Sequence, residues 1–140
     1  MKIAITLTVI SAGLLLAADN SQVDASKKIR ELHKEHIAAL QQAADLLTAE
    51  YNNDRRSYEE LFQGRLLVLN AKLDASETGQ ERIKLHENIV EMMKEREALL
   101  VKSLKVEIVD TLKVLNAKAD RIKAEIGLEE AKANGVKQLK

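Results

Sequence analysis

The sequence predicts an all-α protein, a long antiparallel helical hairpin or coiled coil with an internal repeat of 46 residues. Three observations lead there. Proline is absent from the 140 residues, glycine occurs five times, and Ala, Leu, Lys and Glu dominate, which is the composition of long helices. Apolar residues recur at spacings of three and four along most of the chain, the period of one helix face. Finally, Ser57–Asp74 shifted forward by 46 residues lands on Ser103–Asp120, and Val-Leu-Asn-Ala-Lys-x-Asp occurs at Val68–Asp74 and again at Val114–Asp120. A repeat of this length suggests one helical unit used twice.

Composition narrows the function as well. The three aromatic residues, Tyr51, Tyr58 and Phe62, lie in one short stretch, so burial must come from aliphatic seams between helices rather than from a large aromatic core. The 22 basic and 22 acidic residues cancel and are interspersed. Nucleic-acid binding requires a basic face, and none is expected. Without cysteine there is no disulfide framework and no thiolate chemistry.

Taken in order, the chain opens on what reads as a secretory signal over residues 1–18. Lys2 is the positive start, Ile3 to Leu16 is apolar, and Ala17-Ala18 supplies small residues before a polar switch at Asp19. The apolar run is about 15 residues, short of the roughly 20 that span a bilayer. Export to the periplasm or the outer membrane surface is the expectation. Membrane contact would come only through a partner or an uncleaved N-terminal anchor.

A helical hairpin domain is expected over 19–133. Ile29, Leu32, Ile37, Leu40, Ala44, Leu47 and Tyr51 mark its first helical stripe. Asn52-Asn53-Asp54 reads as a turn, because these side chains compete with helical hydrogen bonding. Ser57-x-x-Glu60 follows as a capping box. Tyr58, Phe62, Leu66, Leu69 and Leu73 form the next stripe. The segment Asp74 to Gln80 is the strongest punctuation, with Gly79 and a second capping box at Thr78-x-x-Glu81, and it predicts the hairpin tip near 75–80.

The return arm is expected to run unbroken from Gln80 to Ala133, since no Gly or Pro lies between Gly79 and Gly127. Its seam would be Ile83, His86, Val90, Met93, Glu97, Leu100 or Val101, Leu104, Ile108, Leu112, Leu115, Ala119, Ile122 and Ile126, with Glu97 as an imperfection. The residues expected to carry helix–helix association are Tyr58, Phe62, Leu66, Leu69, Leu112, Leu115, Ile122 and Ile126. An Asp at Leu115 would then disrupt the seam and collapse helicity or oligomer mass. Asn70 and Asn116, in the repeated Val-Leu-Asn-Ala-Lys, are either buried and register-setting or solvent-facing. Residues 134–140 are expected to form a frayed tail.

Three segments of the chain are similar to a known family. Tyr51-Asn52-Asn53-Asp54-Arg55-Arg56-Ser57-Tyr58-Glu59-Glu60-Leu61 resembles the Tyr-x-x-Gly-x-x-Ser-x-x-Asp-x-Leu motif of the periplasmic hairpins of TolC-type outer membrane efflux proteins. Val109–Leu112 with Val114–Lys118 resembles the end of a second copy, and Ala124–Glu129 the segment that closes it. The resemblance covers Glu31 to Lys132. Asp54 stands where the family motif has its turn glycine, and no alternating strands that could form a membrane β-barrel follow. The resemblance implies a detached periplasmic hairpin that works by association, as a homo-oligomer or with another coiled-coil protein of the cell envelope.

Catalysis is not expected. His33-x-x-His36 lacks the His-Glu-x-x-His of a zincin helix, and Met92-Met93 reads as packing rather than as a copper site. No phosphate loop or nucleophile elbow is present. No cofactor and no metal ligand set is assigned. Two other roles remain open from the sequence, a periplasmic helical chaperone using an apolar flank and a metal-binding protein using His33 and His36.

Overall fold

A computed structural model describes residues 13–106 and 108–137, with side chains over 22–106 and 108–135. The expected signal segment therefore lies mostly outside the described residues, and its side chains entirely so. Among the described residues, no helix is long and apolar enough to cross a membrane.

The protein is all-α. Among the described residues, four helices follow one another: α1 Gly13–Asn52, α2 Tyr58–Ala75, α3 Gly79–Lys105 and α4 Thr111–Lys137. The chain divides into two units, Met1–Glu35 and His36–Lys140. In the first, the described residues are helical, and Val23, Ile29 and Leu32 are exposed. The second unit holds the packed core.

Each turn in the second unit has a local cause. After α1, Asp54 adopts the left-handed region at φ 57°, which short polar side chains tolerate. Asn53 Nδ2 donates to the Ala49 carbonyl at 2.8 Å and the Arg55 N–H to the Glu50 carbonyl at 2.9 Å. These bonds use carbonyls that the helix end leaves without helical partners. The Ser57 capping box then starts α2: Glu60 N–H donates to Ser57 Oγ at 3.2 Å, and Ser57 N–H donates to the Glu60 carboxylate at 2.9 Å. The Ser57 amide, then Arg56 and the Ser57 hydroxyl, hold the Glu60 carboxyl down at about 2, because all three favour the charged form.

The tip between α2 and α3 falls at 76–78. Thr78 caps α3 by accepting from Glu81 N–H at 3.1 Å. Arg82 reaches back to Ser76, which is buried.

The return arm is not one helix. It breaks after Lys105 and restarts at Thr111. Val106, Ile108 and Val109 are β-branched and costly in a helix, and Asp110 offers a new start, accepting from Lys113 N–H at 2.8 Å. A missing Gly or Pro did not preserve the helix where weak propensity and a cap coincide. At the other end, α4 continues to Lys137, into the expected tail, of which residues 138–140 lie outside the described residues. A Cβ on Gly135 would lie 3.5 Å from Ile83 Cδ1, so this part of α4 is still seated on the start of α3.

The pairing is antiparallel at each step. Tyr51 meets Tyr58 edge-on at 6.3 Å, and Leu47 reaches Gly64, where an added Cβ would sit 2.6 Å from Leu47 Cδ1. Glu59 pairs with Arg96 across α2 and α3, and Glu97 with Arg121 across α3 and α4. The helix α3 is therefore central. Ile89, Met93 and Arg96 meet α2 at Phe62 and Glu59, while His86 and Glu97 meet α4 at Gly127 and Arg121.

The 46-residue repeat does not return as a repeated structural unit. Ser57 is the N-cap of α2, whereas Ser103 lies inside α3. Val68–Asp74 closes α2, whereas Val114–Asp120 opens α4.

Candidate helix-docking site

The core cluster is Phe62, Ile89 and Met93, with Tyr58, Leu66, Leu69, Leu73, Met92 and Ala124 packed against it. Phe62 is 2% exposed. Four of the expected association residues, Tyr58, Phe62, Leu66 and Leu69, are thus committed to the interior of the chain. Burial raises the Tyr58 phenol above its usual value, with Glu95 adding to the effect.

Arg96 joins three helices at the edge of this cluster. From α3 it donates to both oxygens of Glu59 on α2, at 3.1 and 2.9 Å, and to Asp120 on α4 at 3.0 Å. Its guanidinium also lies 4.9 Å from the Phe62 ring centre, within cation–π range. At the next residue, the Glu97 imperfection has an explanation: Arg121 of α4 donates to it at 2.5 Å while holding Glu125 at 2.7 Å. A half-buried carboxylate left alone in a seam would be costly, and the facing guanidinium removes that cost.

Beside the cluster, α2 and α4 diverge over α3 and leave an open groove of about 600 Å³. Phe62, Leu66, Ile89 and Met93 line its apolar part, with Asn70, Arg96, Lys123 and Glu130 at the rim. His86 lies in the groove against Gly127, where a Cβ would come within 3.2 Å of the imidazole. Burial pushes its pKa below the usual imidazole value, Arg82 adds to this, and Glu130 opposes it. Asn70 and Asn116 are both exposed, so neither fixes register by burial.

The other four association residues have a different setting. Leu112, Leu115, Ile122 and Ile126 on α4 are 65%, 56%, 42% and 55% exposed. The face that α4 turns inward is instead Val114, Ala117, Arg121, Ala124, Leu128 and Ala131, a three-four stripe of its own, and Ala117 and Ala131 are fully buried. The break at 106–110 resets the rotation of the helix, so the seam Ile83 to Leu104 is not continued by Leu112 to Ile126. Leu112, Leu115 and Ile122 lie away from the groove over α3, whereas Ile126, at the edge of the stripe, also lines it. An Asp at Leu115 is thus expected to spare helicity, in contrast to the expectation drawn from an unbroken arm. The inward alanine stripe was missed in the sequence, although Ala117, Ala124 and Ala131 recur at seven.

His33 and His36 both lie on α1. Among the described residues, no group of three or more His, Cys, Asp or Glu could hold a metal ion. No family model matches the sequence, and no curated protein or solved structure matches it.

Proposed function

We propose that this chain is an exported, non-catalytic helical protein of the cell envelope that works by docking one helix against another, in the manner of TolC-type periplasmic hairpins. The observation that carries this reading is the outward stripe of α4, where Leu112, Leu115, Ile122 and Ile126 lie exposed at heptad spacing. Scattered exposed apolar residues are ordinary. A continuous helical stripe of them marks an interaction surface. The Lys2, Ile3–Leu16 and Ala17-Ala18 pattern supports export. Chemical cross-linking of cells that produce the full chain tests the reading. Cross-linked species are expected in the envelope fraction, and Leu115→Asp should remove them while circular dichroism stays unchanged. Cross-links that persist in that variant would sink it.

The groove favours a second reading, a chaperone that holds unfolded clients. Its floor includes Met93, with Met92 packed beside it, and methionine suits promiscuous apolar binding. A chaperone of this kind would suppress aggregation of an unrelated denatured protein, and Leu115→Asp, remote from the groove lining, would leave that activity intact. No suppression at equimolar protein would discard it.

A further inference from the structure

The outward face of α4 carries enough charge pattern to say what covers it. Leu112, Ala119 and Ile126 recur at seven, as do Leu115 and Ile122, and together they alternate at three and four. All five are exposed. Four charged residues flank this stripe. Lys118 and Glu125 each stand one position before a seam residue, and Lys123 and Glu130 lie along the other edge.

We infer that the stripe pairs with a second copy of itself, antiparallel, about a two-fold axis between Ala119 and Ile122. This rests on the helix-docking reading above and names its partner. Four arrangements can be compared by charge. In a parallel pair, each edge residue faces the opposite edge five positions on in the partner helix. Lys118 would then face Lys123 and Glu125 would face Glu130, in both halves of the dimer. Like charges so placed repel.

An antiparallel pair brings each edge against its own equivalent. When Ala119 meets Ile122 of the second copy and Leu115 meets Ile126, Lys118 stands opposite Glu125, and by symmetry Glu125 opposite Lys118. Sliding this register by one heptad in one direction sets Lys118 against its own copy. Sliding it in the other sets Lys118 against Lys132 and Glu125 against its own copy. One register alone pairs opposite charges, and it also sets small Ala119 against large Ile122.

The contact is isologous, the form that closes as a dimer. Glu125 already accepts from Arg121 Nη1 through Oε2, and its other oxygen can meet Lys118 of the second copy. The inward face of α4 stays on α3 throughout. The seam is about four turns, roughly 20 Å long, so the dimer should be reversible and concentration-dependent.

Sedimentation equilibrium of the full chain over a wide concentration range tests this. The mass should rise from 15.6 kDa towards twice that value. Lys118→Glu alone and Glu125→Lys alone each create two symmetry-related like-charge pairs along the edge that carries both residues, and each should weaken dimerisation about tenfold. The double variant Lys118→Glu/Glu125→Lys should restore it, with circular dichroism unchanged throughout. A mass fixed at 15.6 kDa, single variants that dimerise as the parent does, or a double variant that fails to recover would each overturn the pairing. A monomeric chain whose envelope cross-links still depend on Leu115 would overturn self-pairing and leave helix docking standing. Cross-links indifferent to Leu115 would overturn both.

Discussion

The two copies of Val-Leu-Asn-Ala-Lys-x-Asp are the same sequence in two environments. In Val68–Asp74, both Val68 and Ala71 are buried and Leu69 packs against the Phe62–Ile89–Met93 cluster. In Val114–Asp120, Ala117 is buried and Val114 partly so, but Leu115 faces outward. The Val and Ala positions do the same work in both copies, seating the helix on a neighbour. The Leu position differs because α2 packs on two sides. Its Leu61, Gly64, Val68 and Ala71 stripe lies where Leu47 and Ala44 approach Gly64, and its Tyr58 to Leu73 stripe faces the core. For α4, the neighbour described within this unit is α3, on one side. A repeated motif therefore specifies a seating face and leaves the fate of the other face to the surroundings.

Matched substitutions at the repeated leucine sharpen that contrast. Leu69→Ala removes side-chain packing from the core cluster and should cost about 2 kcal/mol, the lower end for a large-to-small change at a half-buried site. Leu115→Ala should change stability by less than about 0.5 kcal/mol, as exposed positions usually do. Urea unfolding of the two variants, followed by circular dichroism at a concentration where the parent is monomeric, checks both values. Equal costs would break the comparison.

A smaller effect separates the starts of α2 and α4. The cap of α2 depends on an ionised Glu60, held down at about 2 by the Ser57 amide first and then by Arg56 and the Ser57 hydroxyl. Its folded value lies below that of an unfolded carboxylate. The cap's contribution is thus present above the unfolded value and fades as pH falls through it towards the folded one. Amide exchange at the first turn of α2 should accelerate as pH falls from about 4.5 to 2, relative to the intrinsic rate. Glu60→Gln should flatten that dependence. The start of α4 lacks the reciprocal carboxylate, since Lys113 stands at its third position; its cap is Asp110 alone, whose carboxylate accepts from the Lys113 N–H.

Much of this fold was legible in the sequence because its signals are local. The Ser57 capping box, the Thr78 cap (formed through its hydroxyl alone, without the reciprocal Glu81 bond), the Asn52–Asp54 turn and the hairpin tip near Gly79 each rest on residues within a few positions of one another. The break at 106–110 was not, since β-branched residues lower helix propensity only slightly and Asp110 differs little from any other acidic residue until it caps. The exposure of Leu112, Leu115, Ile122 and Ile126 was hidden for the same reason. Heptad spacing shows that a face exists, whereas the rotation of α4 on α3 decides which of two faces is covered. Arg96 was illegible altogether: its partners Glu59 and Asp120 lie 37 and 24 residues away.

The central position of α3 also bears on how the chain reaches this arrangement. From α2 onward, each helix packs on the one before it, so most tertiary contacts join segments near one another in sequence. Such topologies have short loops to close and fold quickly, in microseconds to milliseconds for helical proteins. During synthesis, α2 can dock as soon as α3 is complete, and α4 then settles on a surface already formed. The stripe that α4 leaves uncovered is apolar surface for which the packing on α3 has no use.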